Sequence, residues 1–128
     1  MWKRGFGVVL LGVSTMDVWL DDLRDPTLSQ FNMTTKYKAT GKEIWIKTVP
    51  EAIAFLEKNK GQVRSISFDH DLGENQIDGI ELAKWFEEKA YFGEYPPLKW
   101  KVHSDNPVGA ENIRRAMRSA DRYWKERT

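Results

Sequence analysis

Val63-Arg64-Ser65-Ile66-Ser67-Phe68-Asp69-His70-Asp71 is the stretch that decides the fold. Val63, Ile66 and Phe68 supply the apolar side chains of a short central strand. The chain then turns to acid at Asp69, as a buried strand does when it stops at a loop. The same change occurs earlier, where Asp17-Val18-Trp19-Leu20 runs into Asp21-Asp22, and later, where Leu98 to Val102 runs into His103-Ser104-Asp105-Asn106. Helical stretches separate these strands. Thr48 and Glu51 have capping-box spacing, Pro50 suits a first turn, and Ile53, Phe55 and Leu56 give an apolar face, so a helix is expected before Gly61. Asp78 is placed to cap a second helix, with Ile80, Leu82, Ala83, Trp85 and Phe86 as its buried face, broken by Gly93 and Pro96-Pro97. Asn106 caps and Pro107 opens a third, in which Ile113, Met117, Ala120 and Trp124 recur at helical spacing. Glu43 to Lys47 alternates polar and apolar and reads as one more strand, half exposed.

Strand and helix alternate, which predicts a mainly parallel sheet with right-handed crossovers and helices on both faces. The expected class is α/β, a three-layer αβα arrangement of flavodoxin type. Arg24 to Lys42 holds Asp25-Pro26, several Ser, Thr and Asn residues and Gly41, and reads as a loop long enough to be a lid, with a short helical turn around Thr27 to Phe31. A single domain is expected over residues 16–128, with 1–15 as a leader or an accessory strand.

Composition narrows the chemistry. The 128 residues contain no cysteine, which excludes thiolate nucleophiles, disulfides and Cys-ligated metals and fits a reducing compartment. Twenty basic residues against nineteen acidic ones leave a net charge of +1, too balanced for a protein that coats nucleic acid, so no sequence-specific DNA binding is expected. The longest apolar run, Phe6 to Val13, is interrupted by Gly7 and Gly12 and falls well short of the roughly 18 residues of a membrane-spanning helix. Lys3 and Arg4 ahead of that run resemble a secretory signal, but the A-x-A cleavage pattern is missing. The expectation is a cytoplasmic protein with no membrane partner and an open oligomeric state.

In an open α/β sheet the ligand crevice lies beyond the carboxyl ends of the strands. Here those ends carry both histidines of the chain, His70 and His103, and most of the candidate acids. An imidazole titrates near neutral pH, so one can accept a proton while the other donates one, as metal-free phosphodiester cleavage requires. Asp69, Asp71 and Asp105 are candidates to orient the rings. Asp21, Asp22 and Asp69 have the hard oxygens that Mg²⁺ takes. Ser104 and Asn106 precede a helix whose N-terminus favours an anion, and Arg24 stands ready to clamp a phosphate. The last helix carries Arg114, Arg115, Arg118 and Arg122 away from its apolar side, as a solvated face does. The six tryptophans fall mostly at core positions, with Trp19 or Trp45 as second candidates for stacking on a base.

Residues 63–86 resemble response-regulator receiver domains, with a strand ending in acid and Asp78-Gly79-Ile80-Glu81-Leu82 opening a helix. Asp69 or Asp71 stands at the phosphoacceptor position. A receiver has five strands and a lysine after the fifth, and neither has a counterpart here. The closer resemblance is to the cyclic-phosphate-processing receiver-like domains, through Trp19-Leu20-Asp21-Asp22-Leu23-Arg24, Phe68-Asp69-His70-Asp71-Leu72-Gly73, and Val102-His103-Ser104 with Asn106-Pro107-Val108-Gly109 and Asn112-Ile113. That resemblance implies a flavodoxin-like, receiver-derived sheet and a role in processing cyclic phosphates of nucleotides or RNA ends. By matching position it carries over Asp21, Asp22, Arg24, Asp69, His70, Asp71, His103, Ser104 and Asn106 as site residues.

The expected activity is a phosphoesterase that opens a cyclic phosphate on a small nucleotide or RNA end. His70 and His103 form the acid–base pair with Asp69 and Asp71. Arg24, Ser104 and Asn106 hold the phosphoryl oxygens, and Asp21, Asp22 and Asp69 are the set for a metal. The alternative is a receiver-like module, of a virus or mobile element, that senses a nucleotide or a protein without turnover.

Overall fold

Leu20, Phe68 and Val102 end three neighbouring strands with their side chains on the same face of the sheet, and that parity organises the molecule. A computed structural model describes residues 14–127. Its strands are β1 (Met16–Leu20), β2 (Ile44–Ile46), β3 (Val63–Phe68) and β4 (Lys99–Val102). Its helices are α1 (Val49–Lys58), α2 (Gly79–Phe92) and α3 (Pro107–Glu126). All strand pairs are parallel, in the order β2-β1-β3-β4. This is a four-stranded parallel sheet with helices, a receiver- or flavodoxin-like α/β fold. Of the leader or accessory strand expected over 1–15, all but Ser14 and Thr15 lie outside the described residues.

The steps from β2 to β3 and from β3 to β4 cross the sheet in the same direction, so right-handed crossovers put their helices on one face. All three helices bury their apolar sides in a single core there, with Leu56 of α1, Phe86 of α2 and Ile113 of α3 against Val18, Leu20, Ile66 and Phe68. Each such fully buried side chain contributes on the order of 1.5–3 kcal/mol. Thr48 caps α1 by accepting from the Glu51 amide, and its hydroxyl donates to the Glu51 carboxylate at 2.9 Å, so the two residues of the predicted box pair through their side chains. Asp78 holds the N-cap position of α2 without a side-chain cap bond. The polar atoms inside are satisfied: Trp124 donates to the Tyr95 carbonyl at 2.8 Å and Tyr95 to the Leu56 carbonyl at 2.9 Å.

The step from β1 to β2 runs the other way, so its connection belongs to the opposite face. A strap covers that face in place of a long helix. It contains a five-residue π-helical turn, Asn32–Lys36, one turn later than the helical turn expected at Thr27 to Phe31. Packing explains the shift. Met33, Tyr37 and Ala39 bury against Trp19, with Trp45 alongside, while Leu28 and Phe31 stay exposed. Among the described residues no helix is long and apolar enough to cross a membrane.

Candidate functional site

The residue after each central strand extends the hydrogen-bond ladder by one rung. Asp21 N–H donates to the Ile46 carbonyl at 3.0 Å, Asp69 N–H to Leu20 at 2.9 Å, and His103 N–H to Phe68 at 2.9 Å. Side chains alternate along a strand, so these three point away from the helices, toward the strap. Asp21 and Asp69 therefore stand side by side beyond β1 and β3, where the strand order reverses and open sheets bind ligands.

Arg24 sits among them. Its Nη1 donates to Oδ2 of Asp21 at 3.0 Å and to Oδ2 of Asp69 at 3.3 Å, and its Nη2 donates to Oδ2 of Asp105 at 2.8 Å. The guanidinium also lies 4.6 Å from the centre of the Tyr37 ring, whose hydroxyl donates to the same Asp105 oxygen at 2.8 Å. Burial works against its charge, but the Asp21 carboxylate and its neighbours outweigh this and hold Arg24 above the ordinary arginine value.

The two buried acids respond oppositely to their surroundings. Burial alone would raise Asp21, yet hydrogen bonds from His103, from the Arg24 and Leu23 amides and from the Arg24 guanidinium hold it below the usual range. Asp69 is pushed up to about 6, first by burial and then by the Asp21 charge, against the pull of Arg24 and of the His70 amide. Of the two, Asp69 is the one able to change protonation near neutrality.

The two imidazoles do not meet as an acid–base pair, a correction that follows from strand parity. His103 is 5% exposed and stacks on Trp19 with ring centroids 3.9 Å apart. Its Nε2 lies 2.9 Å from Asp21 and its Nδ1 2.7 Å from the Ser67 hydroxyl. Desolvation lowers its pKa, so the ring is neutral, with Nε2–H donating to the carboxylate and Nδ1 accepting from Ser67. Both nitrogens are occupied, and the ring braces Asp21 from behind. His103→Phe keeps the stacking but takes one of the four hydrogen bonds from Asp21 and leaves the buried Ser67 hydroxyl without this partner, and is expected to lower stability by about 1–3 kcal/mol in urea denaturation. A loss under about 0.5 kcal/mol would contradict this bracing role.

His70, one residue further along its strand end, turns toward the helices. Its ring lies against Gly109 in the first turn of α3, where a Cβ would come within 2.3 Å of Cγ. Its Nδ1 lies 2.9 Å from the Asp71 carboxylate, and its carbonyl accepts from Gly79 N–H at 2.7 Å. A carboxylate only accepts, so Nδ1 carries the proton. Each imidazole thus supports a carboxylate, the reverse of acids orienting the rings.

Asn106 is a cap: its Oδ1 accepts from Gly109 N–H at 2.9 Å, and its Nδ2 donates to Asp71 at 3.3 Å. The Ser104 Oγ accepts from Asn106 N–H at 3.1 Å, and its hydroxyl reaches Asp69. Both organise the mouth instead of offering free groups to a phosphate. The mouth itself is a cleft of about 550 Å³ walled by Asp22, Leu23, Arg24, Asp69, Asp71 and Asp105, with Gly73, Asn106 and Pro107. Of the stretch from Arg24 to Lys42 read as a lid, Arg24 lines this cleft, while Met33, Tyr37 and Ala39 pack on Trp19 as a layer of the fold.

Asp21, Asp22 and Asp69 each offer an oxygen within 4.8 Å of the others, the donor set a hard divalent cation takes. Arg24 already bridges two of them. Both oxygens of Asp21 are filled, Oδ1 by the Leu23 and Arg24 amides and Oδ2 by Arg24 and His103. With the guanidinium in place these residues do not fit a resident Mg²⁺. The other expectations resolve simply. Arg114 and Arg118 pair with Glu111, as on a solvated face. Trp19 is sealed under His103 and takes no base, and Trp45 donates to the Asp21 carbonyl at 2.6 Å.

The family model of the cyclic-phosphate processing receiver domain matches residues 16–119, from the first residue of β1 to well inside α3. The chain belongs to that family. No curated protein and no solved structure matches it. The matched span contains every residue of the mouth, so this is a receiver-like domain associated with cyclic-phosphate processing. Sequence reasoning missed Ser67, Tyr37 and Lys36, and held Gly79 and Gly109 within its motifs without giving either a role. Ser67 was legible, two residues from Asp69 and so on the same face. Tyr37 and Lys36, which meets Asp105 at 3.3 Å, come from the strap, whose course no local pattern announces.

Proposed function

We propose that this member of the cyclic-phosphate processing receiver domains is a phosphoesterase that opens the cyclic phosphodiester of a small nucleotide or RNA end. The observation that carries the reading is the Arg24 guanidinium, fixed by Asp21, Asp69 and Asp105 in the wall of an open cleft with Asp69 and Asp71 beside it. Arg24 supplies preorganised positive charge for the phosphoryl oxygens. Asp71, backed by His70 and Asn106, accepts a proton from the attacking water. The water oxygen bonds to phosphorus, one ring ester bond breaks, and Asp69 delivers its proton to the departing oxygen. His103 and His70 act as positioning residues.

Four carboxylates line this cleft beside the Arg24 guanidinium, with the Lys36 ammonium 3.3 Å from Asp105, so an anionic substrate meets less repulsion when one of the four is neutral. Protonated Asp69 relieves that repulsion and serves as the acid. Turnover is therefore expected to fall as pH rises through about 6. The test incubates the protein with a panel of 2′,3′-cyclic and related cyclic phosphates and follows opened product against pH. Arg24→Ala is expected to lose on the order of 10²–10³ in rate. Unchanged substrates throughout the panel would overturn the reading. Saturable binding of a cyclic phosphate without product would instead support a nucleotide-sensing module.

A further inference from the structure

The acids of the mouth already have a cation. Nη1 of Arg24 lies 3.0 Å from Oδ2 of Asp21 and 3.3 Å from Oδ2 of Asp69, the bridging place between the two buried carboxylates. Asp21 accepts two hydrogen bonds on each oxygen, the full complement of a carboxylate. Arg24 is held there from every side. Asp105 takes its other nitrogen at 2.8 Å, the Tyr37 ring lies beneath it, and the Trp19 indole donates to its carbonyl at 3.1 Å. A divalent ion entering this set would have to remove a permanently charged group from its three carboxylate partners.

We propose that Arg24 is a tethered replacement for a divalent cation, so that the protein holds no metal ion at Asp21, Asp22 and Asp69 until the guanidinium is taken away. The claim concerns occupancy of the mouth and stands or falls apart from the phosphoesterase reading, because it is read by metal binding and not by turnover. It also explains how the two buried carboxylates coexist side by side: one positive charge bridges Asp21 and Asp69.

The experiment titrates wild type, Arg24→Ala and Arg24→Lys with Mn²⁺, following free ion by electron paramagnetic resonance, and with Mg²⁺, following the melting temperature. Wild type is expected to show no saturable uptake through the roughly 10⁻⁴–10⁻³ M range in which weak oxygen-ligated sites fill. Arg24→Ala is expected to gain one site and to melt several degrees higher with Mg²⁺, an effect removed by adding Asp22→Asn. Arg24→Lys keeps a positive charge and is expected to bind at least tenfold more weakly than Arg24→Ala. Saturable Mn²⁺ uptake by wild type that Asp22→Asn abolishes would overturn the proposal. So would a folded Arg24→Ala protein, verified by circular dichroism, that gains no site. Should Arg24→Ala not fold, Arg24→Gln, which keeps a long side chain without the charge, takes its place under the same two criteria.

Discussion

Asp69→Asn is expected to stabilise the protein at pH 8 while removing its turnover. Asp69 has a pKa of about 6 in the folded chain against an ordinary 3.8. A group whose folded pKa is raised contributes stability that is fully present below the unfolded value and is lost as pH rises through the folded one. The window thus runs from about 4 to about 6. A difference of roughly two units, with the pull of Arg24 already inside it, corresponds to about 3 kcal/mol, and an amide that matches the protonated acid imperfectly is expected to keep about 1–2 kcal/mol of it at pH 8. At pH 4 wild type has largely regained its proton, and the advantage is expected to vanish. Denaturation curves at the two pH values measure this. A variant less stable than wild type at pH 8 would show that the Arg24 contact outweighs the burial of the charge. On the proposed mechanism the same variant lacks the proton donor, and a loss of about 10²–10⁴ in rate is expected in the cyclic-phosphate assay. A residue that costs stability when ionised and is needed when protonated is what a tuned acid looks like.

Gly79→Ala is the substitution expected to do the most damage to the fold. A Cβ at this position would lie 1.9 Å from the carbonyl oxygen of Asp69, 3.0 Å from its carbonyl carbon and 3.3 Å from Cα of His70. All three atoms are backbone, at the end of a central strand, and cannot rotate aside. Gly79 N–H also donates to the His70 carbonyl at 2.7 Å, so any retreat of the helix breaks the bond that fixes α2 to the mouth. Overpacking of side chains costs about 1–3 kcal/mol, and backbone obstruction in the core is expected to exceed that range. Gly109→Ala makes the informative contrast. Its Cβ would meet the His70 ring at 2.3 Å, a side chain able to swing away. That variant is expected to fold, with a penalty inside the 1–3 kcal/mol range, and to lose activity through displacement of His70 from Asp71. Urea denaturation of the pair, with the cyclic-phosphate assay on whichever folds, separates the two effects. Equal stabilities would contradict the assignment of Gly79 to a close backbone crossing.

The strands and helices were legible because their signals are local. Val63–Phe68 matches its reading residue for residue, and β1, β2 and β4 differ by one residue at their ends. Thr48 and Asn106 cap as their chemistry suggests. The cluster of acids beyond β1 and β3 was legible too, since it follows from topology. The roles within it were not. His70 and His103 both looked like strand-end histidines, yet one lies two residues past its strand and the other one, and that single step sends them to opposite sides of the sheet. The strap escaped because Met33 and Tyr37 owe their burial to Trp19, a partner far away in sequence. The cation escaped as well: nothing local says that Arg24 folds back over Asp21 to reach Asp69 and Asp105.

The rungs beyond β1, β3 and β4 imply that length, more than composition, guards this mouth. Deleting one residue between Phe68 and Asp71 would hand the inward position to its neighbour and swing the acid out among the helices, and a one-residue insertion would do the same in reverse. Lineages of such domains are thus free to exchange side chains along their strands, while gaps at these three junctions should be purged.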